Sequence, residues 1–145
     1  MKKLMLLLFV VLVACGPVTD NVPPEETVRD GVFIHISQGY NDPHRVLMAL
    51  RMAELMAADH EVLVYFDIDG VEVVLADAEE MTCAPFPSLH TQLAALPEAG
   101  IILMACPGCL EAAGKTPADL RAGIQVADKD TFFSFTKGRI LTLDY

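Results

Sequence analysis

Apolar residues between positions 31 and 145 fall into two regimes, short runs rich in β-branched residues and longer stretches with helical spacing. Val32-Phe33-Ile34-His35-Ile36 and Val62-Leu63-Val64-Tyr65-Phe66 belong to the first and predict buried strands. Between them, Asp42-Pro43 is a helix start, with Asp42 as N-cap and Pro43 at the first helical position. From His44 to Ala58 the polar positions His44, Arg45, Arg51 and Glu54, with Asp59 just beyond, leave an apolar face through Leu47, Met48, Leu50, Met52 and Leu55. That is the pattern of a helix laid over a sheet. After the Asp67-Ile68-Asp69-Gly70 turn, Val71–Leu75 reads as a third strand or a strand continuation. Leu89 to Leu96 predicts a helix stopped by Pro97-Glu98-Ala99-Gly100, and Ile101–Met104 a strand buried on both faces. A helix follows from Cys106 to Ala113, ended by Gly114, and Leu120 to Val126 leads into another short strand. Thr131–Thr136 reads as helical, and Ile140–Leu143 closes the sheet. Strands alternating with helices predict an α/β fold, a three-layer α/β/α sandwich with a mostly parallel sheet of about five strands.

The N-terminal segment has a different pattern. Lys2 and Lys3 precede an uncharged apolar run from Leu4 to Ala14. This run falls short of the roughly 20 residues of a spanning helix and suits the core of a signal peptide. It ends in Leu12-Val13-Ala14-Cys15, which resembles the lipobox of bacterial lipoproteins. That resemblance implies a diacylglyceryl group on Cys15, cleavage before it, and an anchor in a bacterial membrane, with the protein facing the periplasm or the cell exterior. An ordinary secretory signal with an incidental cysteine is the alternative. Residues 16–30 carry Pro17, Pro23 and Pro24 with four acidic residues, which is the composition of a solvated tether. The expected organisation is therefore a signal peptide over 1–14, a lipidated Cys15 and tether over 15–30, and a folded domain over 31–145.

Composition sharpens this picture. The chain has 145 residues, 53% of them hydrophobic, with 20 acidic residues against 10 basic ones. Its length suits one domain. A formal charge of −10 with no basic cluster argues against nucleic acid as a partner, because such binding rests on Lys and Arg neutralising phosphates. Removal of residues 1–14 would take away Lys2 and Lys3 and leave 131 residues with a charge of −12. Part of the mean hydropathy of +0.41 would leave with the same segment.

The chemistry concentrates at Ala105-Cys106-Pro107-Gly108-Cys109, where a buried strand gives way to a helix. In an open α/β sheet, ligands gather at the carboxyl ends of strands. Helix N-terminal amides there favour a thiolate, so Cys106 is the expected reactive thiol. Cys109 can reach back to resolve a mixed disulfide or persulfide. A CxxC can also be half of a zinc site or simply small apolar filler.

Several segments together resemble the DsrE/DsrF-like family of sulfur-relay proteins over most of residues 31–145. In the first half these are Asp42-Pro43 with its Ala/Leu-rich helix, Val62–Phe66, Asp69-Gly70-Val71 and Leu75-Ala76-Asp77-Ala78. In the second half they are Cys106-x-x-Cys109 with Gly114 eight residues after Cys106, then Val126 and Arg139-Ile140-Leu141-Thr142. The resemblance implies that Cys106 bears a persulfide and that Cys109 is the second cysteine of some branches. It further implies a sulfur donor or acceptor, either a protein or a small sulfur species, and assembly into a homo-oligomer, a trimer or hexamer. Ala113 stands where the family often has an Arg before the glycine, a residue suited to binding an anionic sulfur species.

Cys83 follows the Val71–Leu75 segment and is expected at the same sheet edge. It is either a third thiol of the site or a half-buried loop residue. His90 could join Cys83, Cys106 and Cys109 in an N/S₃ site for zinc or Cu(I), or be merely solvated. His35 reads as a satisfied core residue, while His44 and His60 read as surface positions. Asp67, Asp69 and Asp77 read as turn caps, with no partner base identifiable. Met48, Met52 and Met56 read as core packing. No cofactor is indicated. The expected function is sulfur trafficking through Cys106, by a sulfurtransferase or a sulfur carrier. The alternatives are a thioredoxin-like thiol–disulfide oxidoreductase using Cys106 and Cys109, and a non-enzymatic lipoprotein binding Cu(I) or zinc.

Overall fold

The structure is a computed structural model and describes residues 27–145, so the leader, Cys15 and residues 16–26 lie outside the described residues. Five strands form one parallel sheet: β1 (Gly31–Ile36), β2 (Glu61–Phe66), β3 (Ile102–Ala105), β4 (Ile124–Val126) and β5 (Ile140–Asp144). Their spatial order is β4-β3-β2-β1-β5. Parallel neighbours need crossovers, and the helices supply them: α1 (Pro43–Met56), α2 (Leu89–Glu98), α3 (Pro107–Ala112) and α4 (Lys129–Ser134).

The order of the strands explains how the two faces are covered. From β1 to β4 the chain advances across the sheet, and α1 and α2 pack against β1, β2 and β3. The main core lies on this face, built from Ile34, Ile36, Val64, Phe66 and Leu103 against Leu47, Leu50, Leu93 and Leu96. β5 sits at the opposite edge from β4, so the chain returns across the other face, and α4 is laid down on the way. There a smaller cluster of Leu63, Met104 and Phe135 is joined by Phe33, Tyr65, Ile102 and Phe132. β3 is therefore packed on both sides, as its unbroken apolar run predicted.

Local signals set most of the elements. The Asp42 carboxylate accepts the Arg45 N–H at 3.2 Å, and Pro43 opens α1 as expected. The buried stripe of α1 is shifted from the predicted one: Val46, Leu47, Ala49, Leu50 and Ala53 are buried, whereas Leu55 is exposed. Met52 and Met56 pack at the margin of the core. The ordered contacts begin two residues before the expected boundary. Arg29 donates to the carbonyls of Ala57 and Asp59, and Asp30 accepts from the backbone and guanidinium of Arg139.

One expected strand is not a strand. Ile68–Val74 is a 3₁₀ helix, and beyond it Leu75 makes a single antiparallel bridge to Leu120. Glu72 is exposed, but Val71, Val73, Val74 and Leu75 are buried, and three buried residues in succession suit coiling over the end of the core better than an alternating edge strand. Close approach also shapes the segment. A Cβ on Gly70 would stand 2.3 Å from the Ile36 carbonyl oxygen, and one on Gly39 would stand 2.5 Å from that of Asp69. Only glycine lets this segment press onto the end of β1.

Candidate functional site

β3 ends at Ala105, and the Cys106 N–H still bonds to the Phe66 carbonyl of β2 at 2.8 Å. The sheet therefore holds the first cysteine in place at its carboxyl edge. Pro107 opens α3 there, and Cys109 lies one turn along. Both thiols are free and partly buried.

Their environments differ. Burial works against the charged form of Cys106, but hydrogen bonds from the Tyr65 hydroxyl, the Cys109 amide and thiol, and the Gly108 amide outweigh it. Its pKa falls below the ordinary thiol value. Burial pushes Cys109 up; its sulfur accepts the Ile68 N–H at 3.2 Å, but the neighbouring Cys106 and Asp67 add to the rise. Ile68 offers that N–H from the left-handed region, at φ 48°. For a β-branched residue this is a strained conformation, of the kind that gathers at working sites. The pair thus has one thiol tuned to ionise and a partner tuned to keep its proton.

Tyr65 belongs to a row of residues that strand register brings together. His35 pairs with Tyr65, Tyr65 with Met104, and His35 on its other side with Asp144. Burial, the adjacent Cys106 and the charges of Asp67 and Cys109 hold the Tyr65 hydroxyl far above the usual phenol range, so it stays a donor. The His35 ring stacks on Tyr65 with centroids 5.9 Å apart. Its Nε2 lies 2.8 Å from Asp67 Oδ1 and its Nδ1 3.0 Å from Asp144 Oδ1. Burial alone would lower the His35 pKa, but the two carboxylates reverse that and raise it. Beside Tyr65 and Pro107 opens a cavity of about 250 Å³, walled by Phe132 and Phe133 and edged by Asp128 and Lys129.

Both nitrogens of His35 are satisfied, but the residue is half-buried at the sheet edge and not enclosed in the core. Asp67, read as a turn cap without a partner base, has His35 as that partner. Asp77 instead faces Lys115 at 3.5 Å. The structure does not bring Cys83 and His90 into a cluster with the CxxC. The Cys83 thiol contacts the Ala84 carbonyl at 3.9 Å, and His90 Nε2 donates to the Ala78 carbonyl at 2.9 Å. Among the described residues no group of three His, Cys, Asp or Glu side chains is placed to hold a metal ion. Sequence reasoning missed Tyr65 altogether. The available signal was positional: His35 and Tyr65 are each the penultimate residue of their strands, so parallel register sets them side by side.

A parallel α/β sheet carrying a CxxC at the carboxyl end of an interior strand defines a thiol-bearing α/β domain. The chain belongs to the DsrE/DsrF-like family, whose model matches residues 30–138. Among solved structures it is similar to the ychN protein of E. coli, with a TM-score of 0.59 and 16% identity over 79% of this chain and 99% of that one. It is likewise similar to MTH1491 from Methanobacterium thermoautotrophicum, a protein of unknown function, with a TM-score of 0.57 and 20% identity over the same shares. At these identities the two likenesses establish the fold. No curated protein matches.

Proposed function

We propose that Cys106 carries sulfane sulfur as a persulfide in a DsrE-type sulfur relay. The observation that carries this reading is the seat of Cys106, pinned through its N–H to the Phe66 carbonyl where β3 ends and α3 begins, with its thiolate favoured and that of Cys109 disfavoured. In the forward step the Cys106 thiolate attacks the outer sulfur of a donor persulfide, RS–SH. The donor S–S bond breaks, a Cys106 S–S bond forms, and RS⁻ leaves; no external oxidant or reductant is needed. An acceptor thiolate then takes the outer sulfur in the same way and regenerates Cys106 thiolate. Donor and acceptor are proteins or small sulfur species. The leader and Leu12-Val13-Ala14-Cys15 support the further proposal that the protein works from a lipid anchor on Cys15, outside the cytoplasm. Assembly into a trimer or hexamer is part of the same reading, by family resemblance.

The test is mass spectrometry of the full chain after exposure to polysulfide. A gain of about 32 Da on the peptide containing Cys106, reversed by reductant and absent in Cys106→Ser, is expected. An unmodified Cys106 would overturn the reading. Cys106 and Cys109 are both free and stand one turn apart at the start of α3, which favours thiol–disulfide exchange as the second reading. A Cys106–Cys109 disulfide formed with release of sulfide, and turned over by a dithiol reductant, would select it.

A further inference from the structure

We infer that His35, held between Asp67 and Asp144, is a positioning residue for Cys106: through its stack on Tyr65 it fixes the phenol that strand register sets beside Cys106. The inference rests on the reading of Cys106 as the working thiol and extends it to residues that touch no substrate.

Three observations carry it. The first is hydrogen-bond chemistry. Both ring nitrogens of His35 face carboxylate oxygens, at 2.8 Å and 3.0 Å. An ionised carboxylate only accepts, and a neutral imidazole has a single N–H to give. Both contacts are satisfied together only by the imidazolium, so the clamp selects the cation, in agreement with the raised pKa. The second is the placement of the rings. The His35 and Tyr65 planes lie 29° apart with centroids at 5.9 Å, and the Phe132 and Tyr65 rings form a T-shaped pair with centroids 5.2 Å apart at 87°. The phenol is thereby held by a second aromatic ring and a clamped cation. The third is the origin of the clamp. Tyr65 and Asp67 come from the end of β2 and Asp144 from β5, so two segments far apart in sequence converge on one side chain of β1. These, with Cys106 and Cys109 beyond Tyr65, are the titratable groups facing the device.

A cation against the ring makes the phenol a stronger donor, and a fixed ring aims its hydroxyl. Both effects favour the thiolate. As pH rises through the His35 pKa the cation is lost, one carboxylate contact fails, and the support for the thiolate weakens. The ionisation of Cys106 should therefore be broader than that of a single isolated group.

The experiment is the pH profile of iodoacetamide alkylation of Cys106 in the full chain, read by tandem mass spectrometry so that Cys106 and Cys109 are separated. Tyr65→Phe should raise the apparent Cys106 pKa by about one unit and slow alkylation at neutral pH about tenfold. His35→Gln should give a smaller shift in the same direction and sharpen the profile to one ionisation. Asp144→Asn keeps the histidine and changes an exposed side chain, 71% accessible, so folding is not at issue. It should move the histidine inflection to lower pH. Superimposable profiles for wild type and Asp144→Asn would overturn the inference, as would a Tyr65→Phe profile unchanged from wild type. Alkylation needs no sulfur donor. A Cys106 that accepts no sulfur but shows these shifts would end the sulfur-relay reading and leave the positioning role standing.

Discussion

The two faces of the sheet are built from the same strands and serve different ends. One carries Ile34, Ile36, Val64 and Phe66, each fully buried beneath α1 and α2. The other carries Phe33, His35, Tyr65 and Met104 beneath the short helix α4, and Tyr65 and His35 remain half-exposed. Apolar burial is worth about 25 cal/mol per Å², so the doubly helical face supplies most of the stability. The lightly covered face can then hold polar side chains in working positions at lower cost, because water still reaches them. Alternation along β1 and β2 makes this division possible: consecutive residues serve the core and the site in turn.

Mutations can break this comparison in order of expected effect. Leu103→Ala empties a fully buried position on the main face and should lose about 3 kcal/mol in a denaturant titration, with the melting temperature falling accordingly. A loss as small as that of a surface substitution would show that this face does not dominate stability. Phe132→Ala, on the thin face, should lose about 1 to 2 kcal/mol, below the roughly 3 to 5 typical of a fully enclosed Phe. It should nevertheless slow Cys106 alkylation, because Phe132 bears on Tyr65. If it reduced stability as much as Leu103→Ala, the two faces would be energetically alike.

The smallest effect is a pH dependence of stability. The His35 pKa is raised in the folded protein, so the clamp's contribution is fully present below about pH 6.5, the unfolded value. It is lost as pH rises through the folded pKa. The stability gap between wild type and His35→Gln should therefore narrow from pH 6 toward pH 9 in chemical denaturation. A gap that widened over that range would contradict an imidazolium held by Asp67 and Asp144.

Much of the fold was legible because its determinants are local. Asp42-Pro43 fixed the start of α1, and the β-branched runs fixed β1 and β2. The unbroken run before Cys106 placed the CxxC at a strand end. Val71–Leu75 misled because buried valines spell a strand in composition, while the decisive fact was steric. Glycine at 39 and at 70 lets the chain press onto the end of β1 and coil across it. Leu55 misled for a similar reason: helical periodicity defines a stripe, but the neighbour decides which part of it is covered.

By itself the sequence determined the five strands of the sheet, the parallel α/β class and the thiol pair at the end of β3, since each follows from short-range pattern and spacing. Only the tertiary structure decided which thiol is favoured and by what. Tyr65, His35, Asp67 and Asp144 are brought together by strand register and by the return of the chain across the second face. Those contacts span up to 109 positions, and no local pattern encodes a pairing that exists only once the sheet has closed.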